Sequence, residues 1–280
     1  MFRRLYSFFI VFVAISIYTC LAFAGDFFGR LQVGDVVYPA RLRSLESDRY
    51  SRILPFPPVV LSASTEPEYP LEEAKILVPV IPTKIFGAVS NYRGPDYDPA
   101  KKPDHPQFFL KAPSSLLAHE GTITLPRGSD AAVYEGEMVV VIGKHAANVS
   151  VADAPDYVFG VTCGNDVSGV GWESDFQLWR TKGADTFGPC GPFIATGIDY
   201  DDLALELRVN GEVQQKGRTS DMIFSVAEQI SFISQFVALE PGDLLYTGTP
   251  GPIGRLHPGE VVEVELEGVG ILRNTVSREE

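Results

Sequence analysis

Val262, Val264 and Leu266 alternate with Glu263, Glu265 and Glu267. So strict a two-residue period has one structural solution, a strand with one face in a core and an acidic face in water. Strand signals recur along the chain. Leu205, Leu207 and Val209 alternate with polar residues up to Asn210-Gly211, with Val213 on the far side. That dipeptide is the strongest short-range signal for a two-residue hairpin. Met138-Val139-Val140-Val141-Ile142 is a continuous apolar run ending at Gly143 and reads as a buried strand. One helix is well marked. Ser225 and Glu228 have the spacing of a capping box, and Val226, Ile230, Ile233 and Val237 then share one helical face. Leu239-Glu240-Pro241-Gly242-Asp243 ends the helix and turns into a strand from Leu244 to Thr247. Many strands and few helices predict a mostly β, α+β fold, a roll or sandwich and not a doubly wound sheet. No Gly-rich loop joins a strand to a helix, which argues against a nucleotide site.

The chain ends set different limits. Arg3 and Arg4 precede an apolar stretch from Leu5 to Phe23 that closes on Ala22-Phe23-Ala24. Positive, apolar and small-x-small regions in that order predict an export signal over residues 1–24, cleaved after Ala24. An uncleaved anchor is the alternative, because the stretch approaches the roughly 20 residues that span a bilayer. A lipid anchor at Cys20 is disfavoured by the bulk of Ile17-Tyr18-Thr19. Residues 25–80 read as a small β-rich appendage, since Pro55, Pro57, Pro58, Pro67, Pro70 and Pro79 are too frequent for long helices. Residues 81–280 read as the main domain. Without Arg3 and Arg4 the mature chain carries 21 basic and 36 acidic residues, a formal charge of −15. That balance disfavours nucleic acid and anionic membrane surfaces as partners, while leaving room for a locally positive pocket that takes a small anion. Cys163 and Cys190 are too few for a disulfide framework; one bridge and two buried thiols are both open.

Three acids carry the chemistry. Glu135 and Glu137 lie two residues apart where a buried strand begins, so both side chains leave one face of it. Asp166, in Gly164-Asn165-Asp166-Val167-Ser168, would add a third carboxylate from another strand end. Three hard oxygen donors suit Mg²⁺, Mn²⁺ or Ca²⁺ better than Zn²⁺.

Longer motifs point further. Phe86-Gly87-Ala88-Val89-Ser90-Asn91-Tyr92, Tyr134-Glu135-Gly136-Glu137 with Val141-Ile142-Gly143-Lys144, and Asp156-Tyr157-Val158-Phe159-Gly160 with Asn165-Asp166-Val167-Ser168 form one ordered series. Lys182 with Asp185-Thr186-Phe187-Gly188-Pro189-Cys190-Gly191-Pro192 continues it. Val209-Asn210-Gly211-Glu212-Val213-Gln214-Gln215, Met222-Ile223-Phe224-Ser225, Pro241-Gly242-Asp243 and Thr247-Gly248-Thr249-Pro250-Gly251 complete it. In order and spacing the series resembles the C-terminal catalytic domain of the fumarylacetoacetate hydrolase family. The resemblance implies a mixed β-sandwich roll, a homodimer, and one Mg²⁺ or Mn²⁺ on Glu135, Glu137 and Asp166. It also implies a metal-dependent hydrolase that cleaves a carbon–carbon bond in a small acylpyruvate or β-diketo acid. Lys182 would then place positive charge beside the developing enolate or the substrate carboxylate, and Thr249 would bind that carboxylate.

Two departures from the family pattern bear on the reaction. Hydrolytic members carry a histidine three residues beyond the asparagine-tyrosine pair and a glutamate three further on; here those positions are Pro95 and Asp98. Asp98 keeps an acid for water activation, and His105 and His119 downstream are the imidazoles available to substitute. After Asp166 an arginine–aspartate pair becomes Val170-Gly171, and Glu173 stands where a glutamine would contact substrate. The alternatives to hydrolysis are therefore a decarboxylase, isomerase or hydratase of the same fold acting on a 2-oxoacid, and a non-catalytic exported protein that binds a metal–oxoacid complex.

Overall fold

The computed structural model describes residues 25–53, 67–129, 131–172 and 174–279. The expected leader and Glu173 lie outside the described residues. The frame is a 12-stranded sheet. Its centre runs in the order Phe27–Val33, Gly188–Ala195, Val158–Asn165, Gly136–Ile142, Leu244–Tyr246, Ile85–Ala88 and Phe108–Lys111. Most neighbours are antiparallel, but Leu244–Tyr246 runs parallel to Ile85–Ala88, so the sheet is mixed. A 5-stranded sheet, ordered Glu212–Arg218, Ala204–Val209, Val261–Leu266, Gly270–Arg278 and Thr122–Leu125, packs against it. The mostly β sandwich roll expected from the sequence is what forms.

The Gly136–Ile142 strand explains its own composition. Met138, Val140 and Ile142 enter the core between the two sheets, while Val139 and Val141 enter a second core on the other face. A strand buried on both faces needs a continuous apolar run and not alternation. The Val261–Leu266 strand alternates as expected: Val262, Val264 and Leu266 are buried in the shared core. Its acidic face is not left to water alone. Arg208 on the neighbouring strand reaches Glu263, Glu265 and Glu206 at 3.3, 2.7 and 2.9 Å. Asn210 and Gly211 both take positive φ, 51° and 81°, and close the hairpin between Ala204–Val209 and Glu212–Arg218.

The described residues before Val80 contribute strands to the same sheet. Phe27 and Phe28 pair with Ala195 and Ile194, so the larger sheet continues into this segment without a break. Cys163 and Cys190 are both free and buried. Their strands are neighbours, yet Cys163 joins the core between the sheets and Cys190 the core behind them. Opposite faces keep the sulfurs apart, and burial pushes both thiols up to about 12.

The marked helix, Val226–Ser234, carries the capping box: Ser225 Oγ accepts from the Glu228 N–H, and the Glu228 carboxylate accepts from the Ser225 N–H. Val226, Ile230 and Ile233 are buried. Val237 corrects the expected apolar face. It lies beyond the helix and is exposed, because the chain turns there to bridge Leu239 to Ala146.

Asp243 holds together the parallel strand pair. Its buried carboxylate accepts from the backbone N–H groups of Thr83, Lys84 and Glu240, the Thr83 hydroxyl, and Lys84 Nζ at 2.5 Å. Burial works against this charge, but Lys84 and the N–H donors outweigh it and hold the carboxyl below its ordinary range. Asp243→Ala would strand three backbone donors and one ammonium. It is expected to cost about 3 kcal/mol of stability, measurable by urea unfolding. A loss under half of that would show that water replaces the carboxylate.

Candidate metal centre

The centre is built where one strand begins and its neighbour ends. Gly136 opens its strand opposite Asn165, the last residue of Val158–Asn165. Asn165 Oδ1 accepts from the Glu135 N–H at 2.9 Å, and the Asp166 N–H donates to Glu135 O at 2.8 Å. Reciprocal bonds between the two chain segments thus set Glu135 and Asp166 side by side. Glu137 joins them from the same side of the strand, its Oε2 accepting from the Gly248 N–H at 2.8 Å. One oxygen from each of the three carboxylates lies within 4.8 Å of the others. Glu137 and Asp166 are each 1% exposed.

Two ammonium groups offset two of the three acid charges. Lys182, on a short helix Trp179–Gly183, donates to Glu135 Oε2 at 2.5 Å and to Asp166 Oδ2 at 2.6 Å. Lys111, at the end of Phe108–Lys111, donates to Asp166 Oδ1 at 2.6 Å and to the carbonyl of Lys182. Asp166 is therefore held from both oxygens. Burial opposes its charge, but Lys111 and Lys182 together keep the carboxyl below its usual range. Glu135 goes the other way. Burial and then the Asp166 charge raise it to about 7, against the pull of Lys182. Glu137 is also raised, by burial and the two neighbouring acids.

Glu135, Glu137, Asp166 and Lys182 converge on one point. Thr249 stands beside them, its hydroxyl donating to Gly136 O at 2.8 Å. Asp98 does not join. It is exposed and caps a 3₁₀ turn, its carboxylate accepting from the Ala100 N–H and pairing with Lys101 at 3.5 Å. His105 stacks on Phe232 with ring centroids 5.1 Å apart, and His119 Nδ1 accepts from the Arg273 N–H. Among the described residues, neither imidazole has a bond to the acids. Asn91 is used structurally: its side chain bonds Phe224 N and O and Thr247 O, fastening the first motif to the last.

Sequence reasoning missed Lys111. A lysine closing the apolar run Phe108-Phe109-Leu110 reads as a strand-edge charge. The available signal was its period, since Lys111 falls in step with buried Phe109 and out of step with exposed Leu110.

The donor set fits a hard divalent cation: three carboxylates, no thiolate and no imidazole. Such an ion must displace protons that burial and mutual repulsion favour on Glu135 and Glu137. Affinity for Mn²⁺ is therefore expected to fall as pH falls, roughly tenfold per unit once one bound proton must leave. Mn²⁺ titrations at pH 6 and pH 8, with proton release followed calorimetrically, read this. Equal affinities at the two pH values would remove Glu135 from the ligand set.

The description "Fumarylacetoacetate (FAA) hydrolase C-terminal" fits residues 84–277 as a family model. A fumarylacetoacetate hydrolase domain-containing protein 2 homolog from Dictyostelium discoideum is 34% identical over 270 residues, 86% of this chain and 87% of that protein. The 4-hydroxyphenylacetate degradation bifunctional isomerase/decarboxylase of Escherichia coli is 42% identical over 185 residues, 64% of this chain and 43% of that protein. Among solved structures, a 5-carboxymethyl-2-hydroxymuconate delta-isomerase from Mycobacterium smegmatis superposes with a TM-score of 0.82 at 32% identity. That alignment covers 90% of this chain and 100% of the isomerase chain.

Proposed function

The chain belongs to the fumarylacetoacetate hydrolase family, and from that premise we propose a divalent-metal-dependent hydrolase that cleaves a carbon–carbon bond in a small acylpyruvate or β-diketo acid. The observation that supports this reading is the buried cluster of Glu135, Glu137 and Asp166 with Lys111 and Lys182. With all five groups ionised the cluster is one charge short of neutral. A dication turns it net positive, which suits an anionic substrate in a largely buried site. Mg²⁺ or Mn²⁺ held by the three acids would supply Lewis-acid polarisation of the substrate oxygens. Lys182 is the more accessible of the two ammonium groups, its side chain 10% exposed against 0% for Lys111. In this reading it brings positive charge to an enolate or carboxylate oxygen, while Lys111 stays behind Asp166 and holds it ionised. The Gly248–Thr249 turn borders the acids, its Gly248 N–H donating to Glu137 and its Thr249 hydroxyl to Gly136 O; in this reading a substrate carboxylate takes the Thr249 hydroxyl by displacing the second bond.

A second reading, decarboxylation or isomerisation of a 2-oxoacid, is favoured by one observation. Asp98 is committed to its own turn, and both downstream histidines are engaged elsewhere. Hydrolysis needs an activated water, whereas enolate chemistry without water can use the acids and Lys182 alone. The Escherichia coli relative is named for both of these activities. The full chain with Mg²⁺ or Mn²⁺ should be given acylpyruvates and oxaloacetate, following loss of the enol absorbance and release of CO₂. Metal-dependent cleavage of an acylpyruvate supports the hydrolase. CO₂ release or isomerisation alone replaces it with the second reading. Metal binding with no turnover of either class leaves a non-catalytic protein that binds a metal–oxoacid complex.

We further propose that the protein is exported and acts as a homodimer. Mass spectrometry of the native N-terminus and light scattering test these readings; retention of Met1 in soluble protein, or a monomer, would overturn them.

A further inference from the structure

Gln215 lies on Glu212–Arg218, an otherwise solvent-facing edge strand of the smaller sheet, yet it is 1% exposed. A register shift opposite Leu207 and Arg208 is responsible. Arg208 pairs with Val213 but Leu207 pairs with Gln215, so Gln214 is bulged out and Gln215 turns inward beside buried Leu207. Bulges of this kind re-aim single side chains next to functional sites.

The buried carboxamide closes a ring. Gly136 N–H donates to Gln215 Oε1 at 2.9 Å, and Gln215 Nε2 donates to Thr249 Oγ1 at 3.0 Å and to Pro250 O at 3.1 Å. Thr249 Oγ1 donates to Gly136 O at 2.8 Å. The N–H of Gly136 belongs to the peptide that follows Glu135, and its carbonyl to the peptide that precedes Glu137. Both peptide planes between the two acids are thereby pinned by one side-chain pair. A Cβ at Gly136 would press on Leu207 at 3.1 Å and stand 3.4 Å from the Gln215 oxygen, so these neighbours would have to give by a few tenths of an ångström.

We propose that Gln215 is a positioning residue for the metal centre. Through Gly136 it sets the separation and direction of the Glu135 and Glu137 carboxylates, and through Thr249 it commits that hydroxyl's proton to Gly136 O. This rests on the reading that the three acids bind a divalent cation.

The test is Mn²⁺ affinity of the metal-free full chain, read from the electron paramagnetic resonance of free Mn²⁺, alongside thermal unfolding. Gln215→Met is expected to weaken Mn²⁺ binding 10–100-fold in the folded protein, the usual size for an outer-shell partner of a ligand. A role in stability alone would lower the melting temperature and leave the affinity of the folded fraction unchanged. Thr249→Val breaks the ring from its other side and is expected to weaken Mn²⁺ in the same direction, while Thr249→Ser, which keeps the hydroxyl, restores it. The Thr249 pair carries the test if Gln215→Met does not fold. Wild-type Mn²⁺ affinity in Gln215→Met, or in Thr249→Val, overturns the positioning role and leaves the metal reading intact. No Mn²⁺ binding by the wild-type chain overturns both.

Discussion

Asp166→Asn is expected to weaken Mn²⁺ binding more than 100-fold and to destabilise the fold by about 3–5 kcal/mol. Both consequences come from one atom pair. Asp166 Oδ1 faces Lys111 and Oδ2 faces Lys182, at 2.6 Å each. The amide is the same size and can still accept on one side, but it carries no charge. Lys111 has no exposed side-chain surface, so removing its carboxylate leaves an ammonium buried without a counter-charge. Metal affinity falls because one of three anionic donors becomes neutral. The two effects separate in the double variant Asp166→Asn/Lys111→Met. Stability should recover there, because a charge and its orphaned partner have both been removed, whereas Mn²⁺ binding should not. Urea unfolding and Mn²⁺ titration read the two arms. Wild-type affinity in Asp166→Asn would take Asp166 out of the ligand set.

Lys182→Met is expected to lower turnover by about 10²–10³-fold, the usual size for loss of one preorganised donor to a developing anion. The same variant should bind Mn²⁺ at least as well as the wild type. The ammonium lies between Glu135 and Asp166 at 2.5 and 2.6 Å, on oxygens that a cation would also use. The acids hold the ammonium well above its ordinary range, against burial, so it stays charged at any pH at which the protein works. Loss of Mn²⁺ binding together with turnover would make Lys182 a structural support of the carboxylates. Unchanged turnover would exclude it from the chemistry.

Much of the centre was legible because its residues sit at fixed local spacings. Glu135 and Glu137 share a strand face by the two-residue period, and Ser225 with Glu228 marks a helix start by the capping box. The Asn210-Gly211 turn demanded positive φ at both residues and has it. Lys111 and Gln215 were not legible as site residues for a common reason. Each is a polar residue on a strand where sequence alone predicts a solvent-facing side chain. What buries them is a partner more than 50 residues away: Asp166 for Lys111, and Gly136 for Gln215. Asp98 shows the opposite relation. Its position in the motif suggested a site residue, but the side chain is used by the nearest backbone N–H.

Hydrophobic period, turn chemistry and motif order are local properties, so the sequence alone determined the mostly β architecture, the carboxylate trio and Lys182 as candidates. Tertiary structure alone decided which charges meet. It folded Lys111 under Asp166, tied Gly136 to Gln215 across two sheets, and set Cys163 and Cys190 on opposite faces. Charge interactions depend on distance and burial, and neither quantity exists along the chain until strands distant in sequence have been paired.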